Sequence, residues 1–318
     1  MNAFEMVNRT RENIHRVIVG KDSVIDFLAV ALLVGGHVLI EDVPGSGKTM
    51  LAKSFAISLD CDFRRIQFTP DLLPSDITGI KYFNMKKSEF EFVPGSVFSN
   101  IVLADEINRA TPKTQSGLLE CMEEKQVTIE GETHTLPSPF MVIATQNPVE
   151  NMGVFPLPEA QLDRFLVKLG MGYPTHEESI GILDRFDKSD PVKTLKAVIS
   201  KEDISKAQRE VNDIYVHRDL YGYIARVAEA TRQHPDVVLG ASTRGSISLL
   251  KVAKGLAAAG NRAYVTPDDI KAAAVPVLAH RLILKTSVSM KKNADADIIE
   301  NIIEHMPVPT EDFDKYRL

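Results

Sequence analysis

Cysteine is scarce in this chain, with only Cys61 and Cys121 among 318 residues. The two lie far apart and show no metal-ligand spacing. That excludes a disulfide scaffold and a cysteine zinc site, and it suits a reducing, cytoplasmic compartment. Both read as small buried hydrophobes. The eight histidines form no H-x-x-x-H pair, which excludes a zinc hydrolase of that kind. No G-x-S-x-G elbow is present, and neither are internal repeats or low-complexity segments. Long hydrophobic runs are missing too. "VIDFLAVALLVGG" holds about 12 apolar residues, short of a bilayer's thickness, so no integral membrane segment is expected. "MNAFEMVNRTRENIHRVI" is polar and amphipathic, unlike a secretory signal. Positive charge is not in excess, since the formal net charge is −6. Lys86-Lys87 and Lys291-Lys292 read as solvated pairs without interleaved aromatic rings. No nucleic-acid partner is expected.

What remains is an ordinary globular composition, 44% hydrophobic and 25% charged, enough for one large domain or two smaller ones. "IEDVPGSGKTM" holds Gly45, Ser46, Gly47, Lys48 and Thr49 in phosphate-loop order. Glycines let backbone N–H groups turn inward around an anion, the lysine is a point charge for the β and γ phosphates, and the threonine hydroxyl ligates Mg²⁺. Asp42 stands where the full pattern has a first glycine, a position that a turn-former can fill. "HVLI" before the loop reads as a buried parallel strand. "KTMLAKSFAISL" after it reads as a helix whose N-terminal dipole faces the same anion. A chance turn between strand and helix is the alternative.

"NIVLADEINRA" is an apolar run that stops at Asp105-Glu106. Ligands of parallel α/β sheets bind at the carboxyl ends of strands, so Asp105 can hold Mg²⁺ through water and Glu106 can deprotonate an attacking water. Capping of the following helix by the two acids is the alternative. "FMVIATQNP" ends another strand at Gln146-Asn147. Asn147 can reach the attacking water or the γ-phosphate; taken alone, it reads as a turn residue before Pro148.

"EDVPGSGKT", "LADEINRATPKTQSGLLECMEE", "ATQNPVENMGVFPLPEAQLDRF" and "GASTRGSISLLKVAKGLAA", in this order, closely resemble the MoxR family of AAA+ ATPases. The resemblance covers nearly the whole chain. It implies a doubly wound parallel-sheet P-loop α/β domain followed by a smaller all-helical lid. It makes Lys48 and Thr49 Walker A, Asp105-Glu106 Walker B, Asn147 sensor 1, Arg164 the arginine finger and Arg244 sensor 2. The guanidinium groups would neutralise charge spread over the γ-phosphate. Read alone, Arg164 is a surface arginine and Arg244 a helix N-terminal one. Val19 and Gly20 resemble the segment that packs on adenine, with Lys21 where the family often has glutamine, and Met50 joins the nucleotide contacts. The implied ligands are ATP and Mg²⁺. The implied assembly is a homo-oligomeric ring, a hexamer, acting chaperone-like on a client protein, commonly one with a von Willebrand factor A domain, in maturation or metal-cofactor insertion. The alternatives are a nucleotide-gated scaffold with negligible hydrolysis, a DNA-remodelling motor and a small-molecule kinase.

Along the chain, residues 1–175 alternate strand and helix patterns, as a doubly wound sheet does. Two hairpins interrupt them. One spans "GIKYFNMKKSEFEFVPGSVF", with Ile80, Tyr82, Phe90 and Phe92 alternating. The other spans "QVTIEGETHTLPSPF", with Val127 and Ile129. The resemblance places both at a ring's central pore. "THEE" at Thr175 is a capping box. Residues 176–200 read as a linker and 201–305 as the helical lid. Thr266, Pro267 and Asp268-Asp269 open one lid helix, and Pro276 should kink or end it. Residues 306–318 are a Pro-rich, acidic tail.

Overall fold

The computed structural model describes residues 1–41, 45–147, 153–188, 190–291 and 293–309. Asp42, Pro148, Lys292 and residues 310–318 of the tail lie outside them.

Two N-terminal helices, α1 (Ala3–Ile14) and α2 (Asp22–Leu33), lead into β1 (Val38–Glu41) and α3 (Lys48–Ser58). The run "VIDFLAVALL" is α2, a helix buried along most of its length rather than a membrane span. No helix among the described residues is long and apolar enough to cross a membrane. Next come β2 (Phe63–Gln67), α4 (Pro74–Thr78) and the hairpin of β3 (Gly79–Asn84) and β4 (Glu89–Pro94). After β5 (Ile101–Asp105) and α5 (Pro112–Glu124), β6 (Gln126–Ile129) and β7 (Glu132–Thr135) form the second hairpin. Then β8 (Met141–Gln146), the short α6 (Glu159–Leu162) and β9 (Val167–Leu169) complete the α/β part.

Five strands pair in the order β2-β5-β8-β1-β9, every pair parallel. The apolar strands β5 and β1 suit this arrangement because both faces of such a sheet are covered. Ile101–Asp105 and Val38–Ile40 are buried throughout. The chain leaves β1 for the β2 edge and works back, so the topological switch point, where ligands of such sheets bind, is at the carboxyl edge where β1 meets β8.

The segment read as a linker holds the helix α7 (His176–Lys188), and the helices after it are α8 (Lys201–Asp213), α9 (Arg218–Gln233), α10 (Thr243–Ala259), α11 (Pro267–Leu278), α12 (Thr286–Ser289) and α13 (Ala294–His305). Their starts obey local chemistry. Thr175 and Glu178 bond reciprocally at the head of α7, as do Ser200 and Asp203 before α8. Thr266 and Asp269 do the same before α11, which runs two residues past Pro276 before tightening into a 3-10 turn. The lid does not have a core of its own. One apolar cluster runs from Met6 and Leu28 through Val38 and Phe55 to Leu249, Ile270 and Ile299. A Cβ added at Gly255 of α10 would stand 2.6 Å from Val30 of α2, so glycine permits the close approach there.

His37 pins the amino end of β1. Its Nδ1 accepts from the Val142 N–H at 2.9 Å, and its Nε2 faces the Met122 carbonyl at 2.9 Å. The ring is therefore neutral with its hydrogen on Nε2. Burial lowers its pKa to about 4. The unfolded chain, near 6.5, binds more protons between these values, so stability rises with pH across that window. Acidification from pH 6.5 to 4 should remove about 3 kcal/mol through this residue. Thermal melts across that range check it: His37→Gln should flatten the slope relative to wild type, and an unchanged slope would refute the assignment. Cys61 and Cys121 are free, and burial pushes both thiols up to about 12, out of reach of nucleophilic chemistry at neutral pH.

Candidate functional site

The loop after β1 begins its described part at Gly45. Gly45 and Gly47 have φ of +80° and +88°, and a Cβ added at either would meet nothing within 4 Å. Backbone conformation, not crowding, requires glycine at both positions. The loop is an open cradle, and Lys48 starts α3 directly behind it. Ser46 Oγ is buried without a hydrogen-bond partner among the described residues.

The neighbouring strand ends bring the acids to this cradle. Asp105 is buried, and its two oxygens are used differently. Oδ1 accepts from the Thr145 hydroxyl at 2.6 Å. Oδ2 lies 3.5 Å from the Thr49 hydroxyl and accepts from Arg65 Nε at 3.0 Å and Nη2 at 2.7 Å. Glu106 adopts a left-handed conformation, φ +56°, which turns the chain sharply at the strand's end. Its N–H donates to Thr145 Oγ1 at 2.9 Å. Its carboxylate accepts from Gln67 Nε2 at 2.8 Å and pairs with Arg109 at 3.3 Å. Asn147 is buried just beyond β8, whose Gln146 is in register with Glu41 at the end of β1. Lys48, Thr49, Asp105, Glu106 and Asn147 thus share one edge of the sheet.

Arg164 and Arg244 do not. Arg164 Nη2 pairs with one oxygen of Glu123 at 3.1 Å, and Arg244 Nη2 pairs with the other at 2.5 Å. Glu123 adjoins Met122, whose carbonyl bonds His37, and His37 precedes β1. Leu166, two residues after Arg164, donates its N–H to the His37 carbonyl at 2.8 Å. Both arginines therefore sit at the amino edge, a strand length of about 13 Å from the loop edge at 3.3 Å per residue. They line a cleft of about 270 Å³ shared with Asp163, Lys251 and Arg281. Arg281 is buried there and bonds Asp163 Oδ1 at 2.7 Å, tying lid to sheet.

Val19 and Gly20 lie against α7. A Cβ on Gly20 would meet Glu178 at 2.0 Å, and one on Gly181 would stand 3.5 Å from Val19. Lys21 is engaged by Glu178 at 3.5 Å and the Tyr173 carbonyl at 3.3 Å. Met50 is half-buried in the first turn of α3. Both hairpins form, with Phe92 stacked on His134 at 4.0 Å. Tyr82 and Phe90 remain 40% and 61% exposed, so these rings do not pack a core.

The chain matches known proteins along nearly its whole length. Residues 37–167 match the ATPase family associated with various cellular activities (AAA), and residues 229–302 match the AAA lid domain. Chaperone MoxR1 of Mycobacterium tuberculosis (strain ATCC 25618 / H37Rv) is 41% identical over 305 residues, covering 93% of this chain and 80% of that one. The chain belongs to the MoxR family of AAA+ ATPases. Another relative of this MoxR-family chain, the uncharacterized protein YeaC of Bacillus subtilis (strain 168), is 50% identical over 306 residues and 96% of each chain. A crystal structure from Cytophaga hutchinsonii ATCC 33406, named only provisionally as an ATPase, superposes with a TM-score of 0.90 at 40% identity, covering 96% of both chains.

Four residues around this MoxR-type site escape sequence reasoning: Arg65, Gln67, Thr145 and Glu123. Arg65 and Gln67 had a signal. They alternate in "FRRIQF", so they share one face of a strand that ends beside the acids. Glu123 had none, because its partners lie far along the chain.

Proposed function

We propose that this chain hydrolyses ATP in a homo-oligomeric ring, a hexamer in keeping with its family, and spends the cycle on remodelling a client protein in a reducing cytoplasm. The observation that carries the reading is the split of the charged groups between opposite sheet edges. Phosphate cradle and acids stand at one edge, and a guanidinium pair stands at the other, so a full constellation forms only when two copies meet.

Within one subunit, the backbone N–H groups of Gly45 to Thr49 and the Lys48 ammonium hold the β and γ phosphates. The buried Ser46 hydroxyl is available to a phosphate oxygen. Val19, Gly20 and Met50 flank the base. Thr49 and Asp105 offer hard oxygen donors side by side, which fits Mg²⁺ shared with phosphates and water. Among the described residues no cluster of three or more His, Cys, Asp or Glu could hold a metal alone. When bound, Mg²⁺ neutralises charge on the phosphate oxygens. Glu106 takes the proton of the attacking water, and Asn147 orients that water. Arg164 and Arg244 of an adjacent copy stabilise charge developing on the γ-phosphate. The exposed rings of the β3–β4 hairpin suit contact with a client, and a von Willebrand factor A domain protein undergoing maturation or metal-cofactor insertion is the class this family favours.

Phosphate release at increasing protein concentration tests the reading. Specific activity should rise as copies assemble and then plateau. A constant specific activity down to a demonstrated monomer would overturn it.

A further inference from the structure

The Asp105 carboxylate is not waiting empty. Its side chain is only 10% exposed, whereas Arg65 is 48% exposed. Of its two oxygens, Oδ1 is committed to the Thr145 hydroxyl. Oδ2 is the one beside Thr49, and the Arg65 guanidinium covers it with two N–H groups. A buried carboxylate without a counter-charge is costly, so this one carries an arginine on its metal-facing oxygen.

We propose that Arg65 is a built-in counter-ion that Mg²⁺ must displace from Asp105, making Arg65 the residue that sets how much Mg²⁺ nucleotide binding requires. The inference rests on the reading above that Thr49 and Asp105 hold Mg²⁺.

Three observations support it. First, the exchange is cheap for the arginine. Its backbone is fixed in the β2–β5 ladder, where Arg65 is in register with Leu103 and Gln67 with Asp105. Its side chain is about half exposed, so it can swing to water while the buried carboxylate stays put. Second, the two cations cannot share the oxygen. A guanidinium and a hydrated divalent ion on one Oδ2 would repel strongly at contact distance, and Mg²⁺ gives up its waters reluctantly, so it needs room beside the oxygen. Third, the displaced arginine keeps a polar neighbour, because its Nη2 already donates to Gln67 Oε1 at 2.7 Å. Arg65 thus acts through Asp105 and is a positioning residue, not a catalytic one.

The test is nucleotide affinity, read by calorimetry with a non-hydrolysable ATP analogue while Mg²⁺ is varied from an EDTA baseline. In wild type, Mg²⁺ should strengthen binding with a defined midpoint. In Arg65→Ala that midpoint should fall about tenfold or more, the change expected from removing one charge-assisted competitor. Affinity in EDTA should weaken, because Asp105 then faces the phosphates unpaired. Arg65→Lys, which restores one charge without the double contact, should lie between. An unchanged midpoint in Arg65→Ala, with a lowered melting temperature alone, would make the pair a structural salt bridge and overturn the proposal. Wild-type affinity indifferent to Mg²⁺ would instead remove the underlying metal assignment to Thr49 and Asp105.

Discussion

Subunits carrying Arg164→Ala and subunits carrying Lys48→Ala, each inactive alone, should recover ATPase activity when mixed. The first retains a sound phosphate cradle and the second a sound arginine pair. Neither can repair itself, since the two sets stand at opposite edges of the same sheet. Random mixing pairs a good loop with a good arginine at about one interface in four. Losing a guanidinium at a transferring phosphoryl group costs about 10³-fold or more in P-loop enzymes, so even that fraction stands far above background. Phosphate release after demonstrated subunit exchange is the measurement. A mixture that exchanges and stays inactive would show that Arg164 does not serve a neighbour. Arg244 shares Glu123 with Arg164, so Arg244→Ala should complement Lys48→Ala in the same way. Complementation by one arginine but not the other would separate their roles.

Replacing Glu106 by glutamine should leave ATP binding intact and slow hydrolysis about 10²-fold or more, the usual worth of a positioned general base. The substitution keeps size and an oxygen for Gln67 Nε2 but removes the negative charge and the proton acceptor. The backbone at this residue is already turned into the left-handed region, a conformation that non-glycine residues hold only when their surroundings enforce it. Here the Thr145 hydroxyl does so through the Glu106 N–H. Equilibrium binding beside single-turnover hydrolysis separates the outcomes. Normal turnover would strip Glu106 of the base role, and lost binding would make it structural. Lys48→Ala should show the converse pattern, with nucleotide affinity lost.

Much of this arrangement is legible from local sequence. Gly45-Ser46-Gly47 between a strand and a helix, the acids at the end of "IVLAD", the alternation in the two hairpins, the box at Thr175 and the N-cap at Thr266 all depend on neighbours within a few residues. Backbone chemistry specifies such features directly. Contacts across the fold are another matter. Arg65 meets Asp105 across 40 positions, and Glu123 meets Arg244 across 121. Alternation in "FRRIQF" shows the face that Arg65 shares with Gln67, but it does not name the partner, and both meetings arise only when β2 pairs with β5 and the lid settles on the sheet. The lid itself shows the same limit. Its helices are individually plain in the sequence, yet their apolar faces give no sign that they share one core with α1 and α2.

The separation of cradle and arginine pair has a consequence for symmetry. Two copies related by a two-fold axis present identical patches to each other. Such a dimer completes a site only if one patch spans both edges, so that the loop of each copy meets the arginine pair of the other. A polar, head-to-tail arrangement needs no such patch and brings unlike edges together directly. A polar stack of this kind ends in closure or continues as a helix. If it closes, every copy owns one full site. If it stays open, the count falls one short, and the terminal copies expose a bare cradle at one end and a bare guanidinium pair, still clasped by Glu123, at the other.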